Sequence, residues 1–174
     1  LEENLVNDKT SFTCTGSIEV EGETIHCSNI SGHGTQNFVE VISNSCNPAF
    51  IQIGQMLGAG KFRQYYQGFG FSDKTGIDLP GEAEDSFWKE GKMGGVDLAV
   101  ASFGQNFTIT PIQMITACAA VSNGGYVVQP HVVSKITDSK GNVIKTVDKK
   151  VKRQVISDDT STVSYTHLRA HETL

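Results

Sequence analysis

The chain has 174 residues, of which 38% are hydrophobic and 19% charged, and it carries 14 basic and 19 acidic side chains. This composition is typical of one globular domain and argues against disorder throughout. The net charge of -5 supplies no basic stripe for phosphates, so we expect no nucleic acid partner. No apolar run approaches the ~18 residues that cross a bilayer.

The four cysteines, Cys14, Cys27, Cys46 and Cys118, include no C-x-x-C pair. This spacing argues against a zinc site and against a thioredoxin-type redox motif. We therefore expect no metal ion and no cofactor. A disulfide is compatible with the sequence if the compartment is oxidising.

Residues 12–26 alternate in polarity as FTCTGSIEVEGETIH, a pattern that predicts a hairpin turning at Glu21-Gly22. With a two-residue turn there, Cys27 would face Gly16. Cys14 would then face Asn29 and be a diagonal neighbour of Cys27 on the same face of the hairpin.

Helical spacing follows. We expect Thr35 to cap a helix that runs to Asn44, and Pro48 to lie in the first turn of a second helix that ends at Gly58. A third short helix is predicted over Lys61–Tyr66.

Residues 72–93 are polar and punctuated by Gly and Pro, which predicts a long surface loop. A mainly apolar run follows over residues 96–103. Thr110-Pro111 then has the pattern of a helix start, with Gly124-Gly125 as its end.

The remaining sequence predicts strands at 126–128, 132–137 and 143–147. The basic cluster at 149–153 is interpreted as a solvated strand end. The last eleven residues, SYTHLRAHETL, show little apolar periodicity and predict no element.

Ser45-Cys46-Asn47 lies at the joint between the first two predicted helices and has the form S-x-N. Ser and Asn each offer a donor and an acceptor, and at this spacing they point in related directions. The simpler interpretation is that both side chains cap helix ends. Two companion patterns, S-x-x-K and K-T-G, occur as Ser86–Lys89 and Lys74–Gly76.

Five runs occur in a fixed order: GHGTQ, NSCNPAFIQIG, GFGFSDKTGIDLPGE, ASFGQNFTITPIQM and NGGYVVQPHVV. In this order the chain resembles the transpeptidase domain of class B penicillin-binding proteins of the sporulation and cell-division type, over roughly Val6 to Ser157. The resemblance implies an α+β (α/β) fold of the penicillin-binding protein transpeptidase and β-lactamase-like kind. Helices would pack on an antiparallel sheet.

The resemblance implies a serine D,D-transpeptidase that cross-links peptidoglycan stem peptides and is acylated by β-lactam antibiotics. In that chemistry the S-x-x-K serine attacks the substrate carbonyl and its lysine takes the proton. Ser45 would help pass the proton to the leaving amine, and Asn47 would hold the substrate's amide.

The resemblance also implies a position on the extracytoplasmic face of the bacterial membrane, through an anchor outside this chain. Further partners would be the division or sporulation cell-wall machinery. Three alternatives share the fold: a β-lactam sensor domain, a hydrolytic β-lactamase, and a non-catalytic structural component of a division complex.

The two companion patterns fail on their order in the chain. Lys74–Gly76 precedes the helix at Pro111 and enters the loop IDLPGE, whereas the family's K-T-G strand follows that helix. Ser86–Lys89 follows the S-x-N triplet, whereas the family's nucleophile precedes it. We therefore predict that neither pattern is catalytic.

These observations predict an internal fragment that is incomplete at both ends. Residues 1–162 would be a partial transpeptidase domain, and residues 163–174 a non-native tail. The serine-lysine pair would be absent, and the fragment alone inactive.

Cys46 within the S-x-N triplet is most simply a small apolar filler. We also hypothesise a Cys27–Cys46 disulfide that would distort the cleft. His167 and His171 are spaced to share a metal if helical, but Leu replaces the Glu of H-E-x-x-H, so we expect no metal there.

Overall fold

The computed structural model describes residues 1–83 and 93–170, with the backbone alone for 167–170. The elements in chain order are β1 (Ser11–Cys14), β2 (Ser17–Val20), β3 (Glu23–His26), β4 (Gly34–Asn37), α1 (Phe38–Ser43), α2 (Asn47–Leu57), α3 (Ala59–Gly68), α4 (Gly95–Ser102), α5 (Pro111–Ser122), β5 (Tyr126–Val128), β6 (Lys135–Thr137), β7 (Val143–Thr146), β8 (Val151–Gln154) and α6 (Asp158–Ala170).

The described residues form two compact units. The first contains residues 1–64 and 93–107, and the second contains residues 65–83 and 108–170. Within these residues the strands form four antiparallel pairs: β1 with β4, β2 with β3, β5 with β8, and β6 with β7. No helix in the described part of the chain is both long and apolar enough to cross a membrane.

In the first unit, β2 and β3 form the hairpin that was predicted to turn at Glu21-Gly22. Both turn residues have positive φ, 51° and 87°, as a two-residue turn with both residues left-handed requires. The backbone N–H of Cys27 donates to the carbonyl of Gly16 at 2.9 Å, so the predicted facing pair is confirmed.

The strand partner predicted for Cys14 was wrong, although its sulfur does lie close to that of Cys27, within 4.8 Å. β1 leaves the hairpin and pairs with β4, so Cys14 lies opposite Gly34, and Thr13 opposite Thr35. Non-local pairing with another strand overrode the local alternation.

The prediction that Thr35 caps the first helix was also wrong, because Thr35 lies within β4. The cap is Asn37, whose side chain accepts from the N–H of Glu40 at 2.9 Å, while Glu40 accepts from the N–H of Asn37 at 2.7 Å. This reciprocal capping box starts α1 two residues later than expected.

Two buried hydrophobic clusters hold the first unit together. One joins β1 to the helix joint, and the other joins α2 to α4 and the β2–β3 hairpin. Their buried members are Val6, Phe12, Cys14, Cys27, Val41, Cys46 and Ala49 in the first, and Val20, Ile51 and Ala99 in the second.

The second unit begins its main helix as predicted. Thr110 caps α5 in a reciprocal box with Gln113, and Pro111 occupies the first turn. β6 is shorter than predicted because the N–H groups of Val132 and Val133 bind the carboxylate of Asp78 at 2.7 and 3.0 Å instead of a neighbouring strand.

The end of the described chain differs from expectation. Residues 164–170, for which no element was predicted, continue helix α6. The hydroxyl of Ser161 in α6 donates to the carbonyl of Val121 at 2.7 Å and accepts from the N–H of Gly124 at 3.0 Å. These bonds attach the start of α6 to the end of α5.

Candidate active site

The S-x-N triplet lies in the turn that ends α1. The N–H of Ser45 donates to the carbonyl of Ile42 at 3.1 Å, and the N–H of Cys46 donates to that of Val41 at 3.2 Å. This pair of bonds is the Schellman pattern, which satisfies the last free carbonyls of a helix. Cys46 and Val41 are both fully buried in one cluster, as that motif favours.

Ser45 occupies the left-handed position of this motif, with φ of 47°. Glycine usually fills that position because a side chain costs about 1–2 kcal/mol there. A serine held in such a conformation is typical of a functional site, where the rest of the fold maintains the strain.

Neither side chain of the motif caps a helix, so the capping interpretation was wrong. The residue before α2 is Cys46, which makes no side-chain capping bond. Ser45 is exposed and Asn47 is half-buried. The Nδ2 group of Asn47 donates to the carbonyl of His26 at 3.1 Å, which fixes the amide against the end of β3.

Ser45 and Asn47 open onto a pocket of about 230 Å³. Its other lining residues are Phe50, Ser102 and Phe103. Two hydroxyls and an amide thus face a space with aromatic walls. Such a pocket suits a ligand with a polar, hydrogen-bonding backbone and an apolar flank.

The pocket has this shape because α2 and α4 approach closely at Gly54. A Cβ atom at Gly54 would lie 1.8 Å from Oγ of Ser102. Ser102 in turn donates to the carbonyl of Leu98 at 2.6 Å, which holds its hydroxyl against its own helix. Because Gly54 has no side chain, α4 can approach α2 closely enough to place Ser102 beside the S-x-N joint.

The thiols near the motif have opposite electrostatic environments. Burial raises the pKa of Cys46 to about 11. Burial also raises the pKa of Cys27, but N–H donors from Asn29 and Asn47 outweigh it, and the net pKa lies below the ordinary value. The more acidic thiol of the hypothesised disulfide pair is therefore Cys27.

Lys74–Gly76 lies in a loop, as predicted, and not in a strand. Thr75 is 5% exposed, and both its N–H and its hydroxyl donate to one carboxylate oxygen of Glu82. The N–H of Gly76 donates to the other oxygen at 3.0 Å. Partial burial raises the pKa of Glu82, but these bonds outweigh it and hold the pKa below its ordinary value.

Other candidates lie outside the described residues. Ser86–Lys89 falls in the gap between 83 and 93, His171 falls beyond residue 170, and the side chain of His167 is not described.

Sequence reasoning missed Ser102 and Phe103 as pocket residues, and His33 and Cys14 as neighbours of Cys46. The runs ASFGQ and GHGTQ contain three of them, but no local spacing connects those runs to the S-x-N joint.

A family model described as the penicillin binding protein transpeptidase domain matches residues 1–170. The chain belongs to this family. The resemblance to class B penicillin-binding proteins predicted from the sequence is thereby confirmed.

The relatives that match this chain are several times longer than it. Stage V sporulation protein D of Bacillus subtilis is 41% identical over 165 residues, which are 92% of this chain and 25% of that protein. Peptidoglycan D,D-transpeptidase MrdA of Acinetobacter baumannii is 38% identical over 113 residues, which are 59% of this chain and 17% of that protein. The chain therefore spans a quarter or less of these relatives.

Solved structures support the same fold. Penicillin binding protein 3 from Mycobacterium tuberculosis, complexed with aztreonam, matches 97% of this chain and 38% of its own with a TM-score of 0.84 and 25% identity. Penicillin Binding Protein 2X from Streptococcus thermophilus matches 95% and 24% with a TM-score of 0.85 and 24% identity. The predicted α+β class of the transpeptidase domain is confirmed.

Proposed function

We propose that this chain supplies the S-x-N part of the acyl-transfer cleft of a serine D,D-transpeptidase that cross-links peptidoglycan stem peptides. In this proposal Ser45 relays the proton to the leaving amine, and Asn47 holds the substrate's amide. The observation that carries it is the exposed, strained Ser45 beside an anchored Asn47, both of which line one pocket.

The geometry of the pair suits these two roles. A proton relay needs a hydroxyl that the fold leaves accessible, and among the described residues the hydroxyl of Ser45 has no protein partner. A substrate-holding amide must be fixed, and Asn47 is fixed by the N–H that it donates to the carbonyl of His26. Its Oδ1 has no partner in residues 1–83 or 93–170, so this oxygen can accept from a substrate.

Two further parts of the proposal concern partners and location. We expect β-lactams to compete with stem peptides for this cleft, since the M. tuberculosis relative is complexed with aztreonam. Division or sporulation cell-wall proteins are further partners in this proposal. The site of action is the extracytoplasmic face of the membrane.

The proposed reaction also needs a nucleophilic serine-lysine pair, and no S-x-x-K precedes Ser45 in the 174 residues. The one S-x-x-K in the 174 residues, Ser86–Lys89, has the wrong order relative to Ser45. We therefore expect the chain alone to form no penicillin adduct, and the complete protein that contains it to form one.

Fluorescent penicillin labelling tests these roles. In the complete protein, Ser45→Ala and Asn47→Ala should each lower the acylation rate by roughly 10²-fold or more, as loss of a proton-transfer or positioning group does. The matched control is Ser43→Ala, since Ser43 is an exposed serine of the same turn whose hydroxyl bonds only its own helix at Val39. Acylation in Ser45→Ala at the Ser43→Ala rate would refute the relay role.

The same assay separates two alternatives of this fold: a β-lactamase would release the label by hydrolysis, and a structural component would never acquire it. A sensor domain would keep the label, and it differs from a transpeptidase in that it cross-links no peptide. Labelling of the 174-residue chain alone would instead return Ser86 to consideration as a nucleophile.

The Cys27–Cys46 disulfide stays a prediction. Both thiols are free and buried in this structure, and their sulfur atoms lie within 4.8 Å of each other. A bond between them would pull β3 toward the S-x-N joint. Mass spectrometry of protein isolated under oxidising conditions tests it, and free thiols at both positions would contradict it.

A further inference from the structure

Four side chains from separate segments meet beneath the S-x-N joint. They are Cys14 at the end of β1, Cys27 after β3, His33 before β4, and Cys46 between α1 and α2. The three sulfur atoms and one ring nitrogen of His33 all lie within 4.8 Å of one another. The cysteines are buried, with 2%, 4% and 0% of their surfaces exposed, and His33 is half-buried.

These distances are close to those of a tetrahedral metal site. Zinc–sulfur bonds of about 2.3 Å and zinc–nitrogen bonds of about 2.0 Å place neighbouring sulfurs about 3.8 Å apart, and sulfur and nitrogen about 3.6 Å apart. The distance from Sγ of Cys27 to Nδ1 of His33 is 3.6 Å. A contraction of about 1 Å at most brings the remaining atoms to their bonding positions.

A buried amide adds a second, independent indication. Gln36 is 3% exposed, and its Oε1 accepts from Asn44 at 2.7 Å. Its Nε2 has no hydrogen-bond partner of ordinary geometry among the described residues, and it interacts with the sulfur of Cys46. A buried donor without a partner is costly, and a thiolate at Cys46 would supply the acceptor that a thiol supplies poorly.

We propose that Cys14, Cys27, His33 and Cys46 form a tetrahedral Cys₃His site for Zn²⁺, which pins the S-x-N joint to the β2–β3 hairpin and to β1. The ligand set is complete, because three thiolates and one imidazole fill all four positions of zinc and leave none for water. The site is therefore structural and not hydrolytic.

The expectation of no metal ion rested on the lack of a C-x-x-C pair, and this cluster has none because its ligands come from four places in the chain. Zinc and the Cys27–Cys46 disulfide exclude each other, since each state uses the same two sulfur atoms. Metal binding does not depend on the proposed transpeptidase chemistry.

Zinc titration of the purified 174-residue chain tests the proposal. In reducing, metal-free buffer, one Zn²⁺ per chain should bind in competition with a chromophoric chelator. Co²⁺ in its place should give the intense red-region absorption of a tetrahedral site and a thiolate charge-transfer band. An octahedral Co²⁺ spectrum, or binding no stronger than that of a Cys14→Ser/Cys27→Ser/Cys46→Ser variant, would overturn the proposal.

Single variants locate the ligands. Cys46→Ser and His33→Asn should each weaken zinc binding at least tenfold, whereas Cys118→Ser is the matched control, because Cys118 is an exposed cysteine outside the cluster. His33→Asn decides the case if Cys46→Ser does not fold, since His33 lies outside the buried core. Unchanged binding in His33→Asn, or equal loss in Cys118→Ser, would contradict the site.

Cysteine alkylation gives a readout independent of affinity. Bound zinc should slow alkylation of Cys14, Cys27 and Cys46 and leave the rate at Cys118 unchanged. Alkylation rates of Cys14, Cys27 and Cys46 that zinc leaves unchanged would count against the site.

Discussion

At the scale of single residues, the turn after α1 explains the backbone conformation of Ser45 but not its hydroxyl. The Schellman turn needs a left-handed residue after α1, and any residue with a Cβ is strained there. The hydroxyl, by contrast, bonds to nothing within the described protein. The turn alone therefore gives no reason for a serine at this position.

Replacing Ser45 by glycine should stabilise the fold. Relief of the strain exceeds the extra entropy that glycine has in the unfolded chain, so Ser45→Gly should raise the free energy of unfolding by about 0.5–1 kcal/mol. Ser45→Ala, which keeps the Cβ, should change it by less than about 0.5 kcal/mol. Urea unfolding measures both, and a Ser45→Gly variant less stable than Ser45→Ala would show that the left-handed turn is not strained.

At the scale of elements, the contact between α2 and α4 sets the width of the pocket. Gly54 is buried in the middle of α2, where glycine costs about 1 kcal/mol relative to alanine. The fold retains it because Ser102 occupies the space that a side chain would take.

Gly54→Ala should therefore destabilise the protein by about 2 kcal/mol, despite the better helix propensity of alanine. The added Cβ would lie 1.8 Å from Oγ and 2.7 Å from Cβ of Ser102, so rotation of the hydroxyl alone does not relieve the overlap. Thermal or urea unfolding measures the loss.

Two variants control this prediction. Gly60→Ala in α3 has open space around its Cβ and should stabilise by up to about 1 kcal/mol. The double variant Gly54→Ala/Ser102→Gly should recover part of the lost stability. A Gly54→Ala protein as stable as Gly60→Ala would mean that the two helices are not in close contact.

At the scale of the whole molecule, carboxylates organise the loops of the second unit. Asp78 binds the N–H groups of Val132 and Val133, which lower its pKa, and Glu82 binds Thr75 and Gly76. A carboxylate with a lowered pKa in the folded state stabilises the protein above the pKa of its unfolded form. That stability is lost as pH falls through the folded pKa.

Glu82→Gln should accordingly cost about 1–2 kcal/mol at pH 7, because the charged acceptor of three hydrogen bonds is replaced by a neutral amide. The difference between wild type and variant should shrink as pH falls below about 4.3, where the unfolded carboxylate takes up a proton. Urea midpoints of both proteins from pH 7 to pH 3 measure this. A stability difference between wild type and variant that grows as the pH falls would contradict this linkage.

The sequence predicted an element correctly where residues a few positions apart determine its start or its turn. Pro48, Thr110-Pro111 and Glu21-Gly22 fix backbone angles or supply caps within a few residues, and their elements formed where expected. Thr35 failed because pairing with β1 decided its conformation, although the N-x-x-E signal of Asn37 and Glu40 was already present in the sequence.

The candidate site was predictable only in part. Ser45 and Asn47 carry a pattern within three residues, so sequence reasoning could find them. Ser102, His33 and Cys14 reach the same region through helix packing and strand pairing over tens of residues, which no local spacing records. The helical end of α6 was missed because residues 164–170, SYTHLRA, contain few apolar side chains to mark a buried helix face.

The positions of the cysteine and histidine cluster in the chain have a consequence for the order in which the protein folds. All four side chains come from the region between Cys14 and Cys46, whereas Ser102 and Phe103, the opposite wall of the pocket, follow much later in translation. Chains emerge, and begin to fold, from the amino-terminal side. The proposed zinc site can thus form and fix the S-x-N joint before the helix that completes the pocket has emerged.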